Sequence, residues 1–127
     1  MKYMTAAQAV QLIESGDSLY IQGSTSIPEV LSQALAERGQ ELKDVTVYAA
    51  FAVGRCEAPY CRPEYKEAFN VKSLFVANNI RRWLADGYGS TIPAFLGEIP
   101  ALFRDGTLPL DAVFLNVSPP NEDGYCS

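Results

Sequence analysis

With 127 residues, 48 % of them hydrophobic and 20 % charged, the chain has the size and composition of one globular domain and not of a disordered segment. Ten basic against fifteen acidic residues leave a net charge of −5, and the basic ones are scattered apart from the pair Arg81 and Arg82, so no basic stripe marks a nucleic-acid or membrane-surface binder. Histidine is absent, which removes Ser-His-Asp and Cys-His catalysis and most zinc sites from this chain.

No apolar run approaches the roughly 20 residues of a membrane span. The N-terminus lacks the continuous apolar core of a signal peptide. Three cysteines, Cys56, Cys61 and Cys126, form no dense framework and point to a reducing compartment, hence a cytoplasmic protein.

Taken in order, Thr5-Ala-Ala-Gln8 reads as a capping box opening a helix, with Ala6, Ala9, Val10 and Ile13 on one face and Gly16 as its stop. Ser18 to Gln22 reads as a strand, and Gly23 to Ser26 as a tight loop. Ser26-Ile-Pro-Glu29 reads as a second capping box, opening a helix with Ile27, Leu31, Ala34 and Leu35 along its stripe and Gly39 after its end. Asp44 to Val53 reads as a buried strand, Gly54 to Pro63 as loop, and Leu74 to Ala77 as a short strand. A helix is expected over 78–85, capped by Asn78 or Asn79 and stopped by Gly87. Another is expected over 97–105, with Pro100 near its start and Gly106 beyond its end. Asp111 to Val117 reads as a further buried strand.

Strands that are continuous apolar runs and alternate with helices predict an α/β fold, with a mainly parallel sheet and helices on both faces. The closing run, with Pro119, Pro120, Gly124 and the apolar pair Tyr125-Cys126, reads as the approach to another strand.

Ligands of open parallel sheets bind beyond the carboxyl ends of strands. The Gly23, Ser24, Thr25 loop is such a place, as an anion site or as a plain turn. Asn78 and Asn79 either cap a helix or offer an amide to the same edge. Ser118 and Pro119 follow a strand end, where proline rigidity suits a ligand wall or simply a turn. Gly87-Tyr-Gly89 is only a partial dinucleotide fingerprint, because Ile92 stands where glycine or alanine is wanted. Cys56 and Cys61 read as free structural thiols and Cys126 as packed. Glu64, Glu67, Glu122 and Asp123 read as solvated charges, and Glu98 as a first-turn helix carboxylate.

The strings TAAQAVQLIESGD, GSTSIPEVLSQALAER, PEYKEAFNVKSLFVANNIRRWLADG and above all FLGEIPALFRDGTLPLDAVFLNVSPPNEDGYCS resemble the N-terminal domain of the acetyl-CoA hydrolase/transferase family. The acetate and 4-hydroxybutyrate CoA-transferases are the best-matching branch. Gly54 to Arg62 is the least family-like part.

The resemblance implies a fold of two similar α/β halves with the active site between them. It implies transfer of coenzyme A from a short-chain acyl-CoA to a carboxylate such as acetate, through a glutamyl-CoA thioester formed in the C-terminal half. Coenzyme A is then a substrate, and no metal or tightly held cofactor is implied. The partners implied are that C-terminal half and further copies in a homo-oligomer. On this reading residues 1–127 are a truncated N-terminal domain, inactive alone and without a catalytic residue of its own. Gly23, Ser24, Thr25, Asn78, Asn79, Ser118 and Pro119 are its candidate cleft residues. An acetyl-CoA hydrolase and a non-catalytic binding module are the rival readings.

Overall fold

The computed structural model describes residues 3–50 and 58–127, save the side chain of Asn79. Among the described residues five parallel strands form one sheet: β1 (Ser18–Ile21), β2 (Val45–Ala49), β3 (Phe69–Ser73), β4 (Ser90–Thr91) and β5 (Ala112–Phe114). Their order across the sheet is β4-β3-β2-β1-β5. The described residues also form four α-helices: α1 (Ala6–Ala9, continued by a 3-10 turn over Val10–Leu12), α2 (Glu29–Glu37), α3 (Asn78–Ala85) and α4 (Ile99–Arg104). Among the described residues no helix is long and apolar enough to cross a membrane.

The period of two along each strand sorts side chains between the faces. Leu19, Ile21, Val45, Val47, Ala49, Phe69, Val71 and Phe114 form the main core with Val10, Ile13, Leu35 and Ile80, which α1, α2 and α3 bring to that face. On the other face Tyr20 and Tyr48 meet Leu74, Leu108 and the α4 residues Ile99, Leu102 and Phe103. Both tyrosine rings pack edge-on to Phe103, with centroids 5.8 and 5.3 Å away. The α/β class, the parallel sheet and helices on both faces therefore stand as expected, with the second layer much the thinner.

Local expectations fared unevenly. The Thr5 capping box forms in both directions. The second does not: α2 starts at Glu29 with Pro28 at its cap position and no side-chain cap. The ring of a proline disfavours helical geometry in the residue before it, so Ile27 cannot serve as a first helical residue. Neither asparagine caps α3, which begins at Asn78 behind Ala77. The third strand is Phe69–Ser73 and not Leu74 to Ala77, which lies beyond its carboxyl end. Phe69, Val71 and Ser73 alternate with exposed or half-buried Asn70 and Lys72, a pattern that the apolar run Leu74 to Ala77 outshone. Strand β2 spans Val45–Ala49, and the expectation for 51–53 and for Cys56 lies outside the described residues. Pro59–Cys61 and Pro63–Tyr65 are 3-10 turns within the stretch read as loop and just past it. Strand β4 went unforeseen, being two exposed polar residues.

Strand β5 is shorter than Asp111 to Val117 and is an edge, so Val113 and Leu115 stay 45 % and 52 % exposed instead of buried. Tyr125 and Cys126 are exposed and belong to no strand. Asn121 gathers this segment on itself, its Oδ1 accepting from the N–H groups of Asp123 and Tyr125, so Cys126 is not packed as expected. The Gly87-Tyr-Gly89 motif has a structural explanation. Gly87 (φ 83°) closes α3 in a Schellman turn, with Tyr88 N–H on the Trp83 carbonyl and Gly87 N–H on that of Leu84. A Cβ on Gly89 would press to 2.9 Å from the Val71 carbonyl oxygen.

Candidate functional site

Sequence order runs outward from β1 to β4 on one side, and then the chain returns to add β5 on the other. The strand order reverses between β1 and β5, and the loops that follow these two parallel strands leave the sheet at the same end. Such a switch point is where open parallel sheets form a ligand crevice. A cavity of about 430 Å³ lies at that place, lined by Thr25, Ile27, Pro28, Glu29, Val30, Leu31, Leu115 and Asn116.

The two loops are fastened to each other. Gln22 N–H donates to the Phe114 carbonyl at 3.0 Å, prolonging the β1–β5 ladder by one bond. The Gln22 side-chain Oε1 then accepts from Asn116 N–H at 2.7 Å. At the opposite end of the strand pair Asp111 does the same service, with Oδ2 accepting from Ser18 N–H at 2.8 Å. Ser24 sits at φ 62°, the left-handed region that non-glycine residues avoid. Its neighbour Gly23 is half-buried, and the turn towards α2 falls at Thr25.

Because every strand is parallel, all the sequence-predicted site residues stand at one edge of the sheet. They do not converge. Thr25 lines the cavity, with Gly23 and Ser24 leading to it. Asn78 is exposed at the start of α3, beyond β3, and β2 separates it from the switch point. Asn79 is the next residue of that helix. Ser118 turns to its own segment: its N–H donates to the Ser127 carbonyl at 2.7 Å and its hydroxyl accepts from Ser127 N–H at 3.0 Å. Pro119 is exposed beside it.

Reading the sequence missed Gln22 and Asn116. Each is an amide that interrupts an apolar strand run at its carboxyl end, SLYIQ and DAVFLNV, and that interruption was the available signal. The cavity lining mixes apolar Ile27, Val30, Leu31 and Leu115 with the polar groups of Thr25, Glu29 and Asn116, and its surface is more polar than apolar. Glu29 is the charged residue on its lining and also occupies the first turn of α2, where the helix dipole favours a carboxylate. The anion expected on the Gly23 to Thr25 loop therefore meets a negative neighbour. Elsewhere, Cys61 is buried as a free thiol, its Sγ donating to the Tyr88 carbonyl at 3.3 Å, and burial pushes its pKa up to about 12. That suits packing and not nucleophilic chemistry.

An open parallel sheet with helices on both faces and a cavity at its switch point places the chain in the α/β class. The chain belongs to the acetyl-CoA hydrolase/transferase family, matching the model of its N-terminal domain over residues 1–127. It is 32 % identical over 117 residues to a succinyl-CoA:acetate/propanoyl-CoA:succinate CoA transferase of Fasciola hepatica, covering 91 % of this chain and 24 % of that protein. It is 29 % identical to the 4-hydroxybutyrate coenzyme A transferase of Clostridium kluyveri, covering 99 % of this chain and 29 % of the relative. Among solved structures, RipA from Yersinia pestis superposes with a TM-score of 0.85 at 27 % identity, over 98 % of this chain and 31 % of that one. The chain thus spans 24–31 % of the length of these relatives.

Proposed function

We propose that the chain is the N-terminal domain of a CoA-transferase that moves coenzyme A between a short-chain acyl-CoA and a carboxylic acid such as acetate or 4-hydroxybutyrate. The observation that carries this reading is the match of all 127 residues to one family domain, together with curated relatives that are named CoA-transferases despite differing substrates. The nucleophile is assigned to a glutamate of a C-terminal half. Its carboxylate attacks the acyl thioester, releasing CoA thiolate and forming a mixed anhydride. The thiolate attacks the glutamyl carbonyl, expelling the donor's carboxylate and leaving a glutamyl-CoA thioester. An acceptor carboxylate runs the two steps backwards, so kinetics are ping-pong.

This domain's part is to hold and orient. The apolar wall of Ile27, Leu31 and Leu115 suits the acyl chain, and Thr25 and Asn116 supply polar groups at its rim. Gly23 and Ser24 shape that rim, and Asn78, Asn79, Ser118 and Pro119 remain candidates for the outer cleft along the same sheet edge. The uncovered residues Val113 on edge strand β5 and Leu115 just beyond it support a seat for the C-terminal half, since the relatives are three to four times as long as this chain. We read the complete enzyme as cytoplasmic, in keeping with the free thiols of Cys61 and Cys126, and as a homo-oligomer by its family resemblance.

The test is to supply the complete polypeptide with butyryl-CoA, with and without acetate. Acetyl-CoA should appear only when acetate is present, and residues 1–127 alone should form none. Free CoA released at a rate indifferent to acetate would instead make the protein a hydrolase, the other activity in the family's description. Neither product from the complete polypeptide would leave a non-catalytic binding module.

A further inference from the structure

The switch-point cavity is bounded by two loops whose positions are set more than ninety residues apart in sequence. What fixes their separation decides the shape of the cavity. One wall comes from the loop after β1 and the start of α2, the other from Leu115 and Asn116 after β5. Strand β5 is a weak support for its own wall. It has only three residues, it pairs with β1 alone, and beyond Phe114 its side chains are exposed. The regular ladder ends where Gln22 N–H meets the Phe114 carbonyl. One more tie crosses the gap after that point, the 2.7 Å bond from Asn116 N–H to Gln22 Oε1.

We propose that Gln22 is a positioning residue for substrate: its side-chain amide carbonyl holds Asn116, and with it the Leu115 wall, at the spacing that the acyl-CoA requires. The inference rests on the reading of the cavity as an acyl-CoA site. Gln22 does not line the cavity and touches no reacting atom, so it acts only through Asn116. The bond has the features such a role needs. Its donor is a backbone N–H, which stays in place whatever side chain occupies position 116. Its acceptor stands on a half-buried residue whose own backbone is locked into the sheet, and the bond itself is solvent-exposed, so amide exchange reads its loss directly.

The test uses the complete polypeptide and three forms of it: Gln22, Gln22→Leu, which keeps the bulk and loses the acceptor, and Gln22→Glu, which keeps an acceptor oxygen at the same reach. Two quantities are read in each. Hydrogen exchange at the Asn116 amide without ligand reports the bond. KM and kcat for butyryl-CoA with acetate report the site. Gln22→Leu should exchange about tenfold faster at Asn116 and raise KM about fivefold with kcat changed less than twofold, and Gln22→Glu should restore both. Unchanged exchange in Gln22→Leu would overturn the proposal, because something else then holds the loop. Faster exchange with an unchanged KM would overturn it too, because the loop spacing then does not matter to substrate. If the unaltered polypeptide shows no transfer at all, the acyl-CoA reading itself falls and the proposal with it. The exchange data identify that case, since they register the bond without any ligand.

Discussion

Arg38 reaches back across twenty-five residues of sequence to donate from Nη1 to the Ile13 carbonyl oxygen at 2.7 Å. The same nitrogen also donates to the carbonyl of Val10. These carbonyls close the first helical segment, where a helix end leaves acceptors unpaired and a positive charge is favoured. Arg38 thereby ties the end of α2 to the end of α1. Its ion pair with Glu41, at 3.1 Å, holds a partner that is 63 % exposed. Arg38→Met should therefore cost about 2–3 kcal/mol, as loss of charged hydrogen bonds to half-buried acceptors does. Glu41→Gln should stay within about 0.5 kcal/mol. Urea midpoints for the two variants would show it, and equal effects would refute the assignment of the stabilisation to the helix-end carbonyls.

One residue further on, Gly39 is read from the sequence as a helix stop, but the structure gives it a second duty. A Cβ at this position would collide with the ring of Tyr65, which itself packs edge-on against Phe69 at 6.2 Å. Gly39→Ala should cost about 1–3 kcal/mol through overpacking. In a Tyr65→Leu background, where the ring is gone, the same change should cost less than half as much. A double-mutant cycle measures the difference, and strict additivity would mean that Tyr65 is not the obstacle.

The contrast between these two residues shows what could be read ahead of the structure. Local signals that act within one turn were legible: the Thr5 and Gln8 box, the Gly87 stop, and apolar strands such as Val45–Ala49. Competition between signals was not. Pro28 overrode the Ser26 capping pattern because its ring governs the preceding residue. The apolar run Leu74 to Ala77 hid a strand whose buried face is marked by Phe69, Val71 and Ser73. The site was legible as an edge of the sheet, because parallel strands place every following loop there. Which loops meet depends on strand order, and nothing local in Gln22 or Asn116 says that β5 returns to pair with β1.

The buried thiol of Cys61 makes stability depend on alkaline pH. Burial lifts its pKa to about 12, while an unfolded cysteine titrates at about 8.5. The folded state thus keeps a proton that the unfolded chain releases. The stabilisation is complete below about pH 8.5 and is lost progressively as pH rises towards 12. Burial raises the hydroxyls of Tyr20 and Tyr48 in the same direction, so they add to the loss above about pH 10. The urea midpoint should fall between pH 8 and pH 10.5, and less steeply in Cys61→Ala. A midpoint flat over that range would contradict the burial of the thiol. Exposed Cys126 should also react with a thiol reagent well before Cys61, and Cys126→Ser should remove that rapid phase.

On the proposed reading of the cavity as the acyl site, Leu115 sets the direction of acyl selectivity. Leu115 is half exposed in the free domain and forms the β5 side of the wall, facing the α2 side contributed by Ile27 and Leu31. If the acyl chain lies between them, added bulk at Leu115 must penalise a four-carbon chain more than a two-carbon one. Hydrophobic pockets discriminate by about 1–3 kcal/mol per methylene, so even partial filling is measurable. Leu115→Phe in the complete enzyme should lower the ratio of kcat/KM for butyryl-CoA over acetyl-CoA about tenfold. Leu115→Ala should raise it or leave it nearly unchanged, since space is added where the chain ends. Equal losses for both substrates in Leu115→Phe would place the acyl chain elsewhere and leave Leu115 as part of the seat for the C-terminal half.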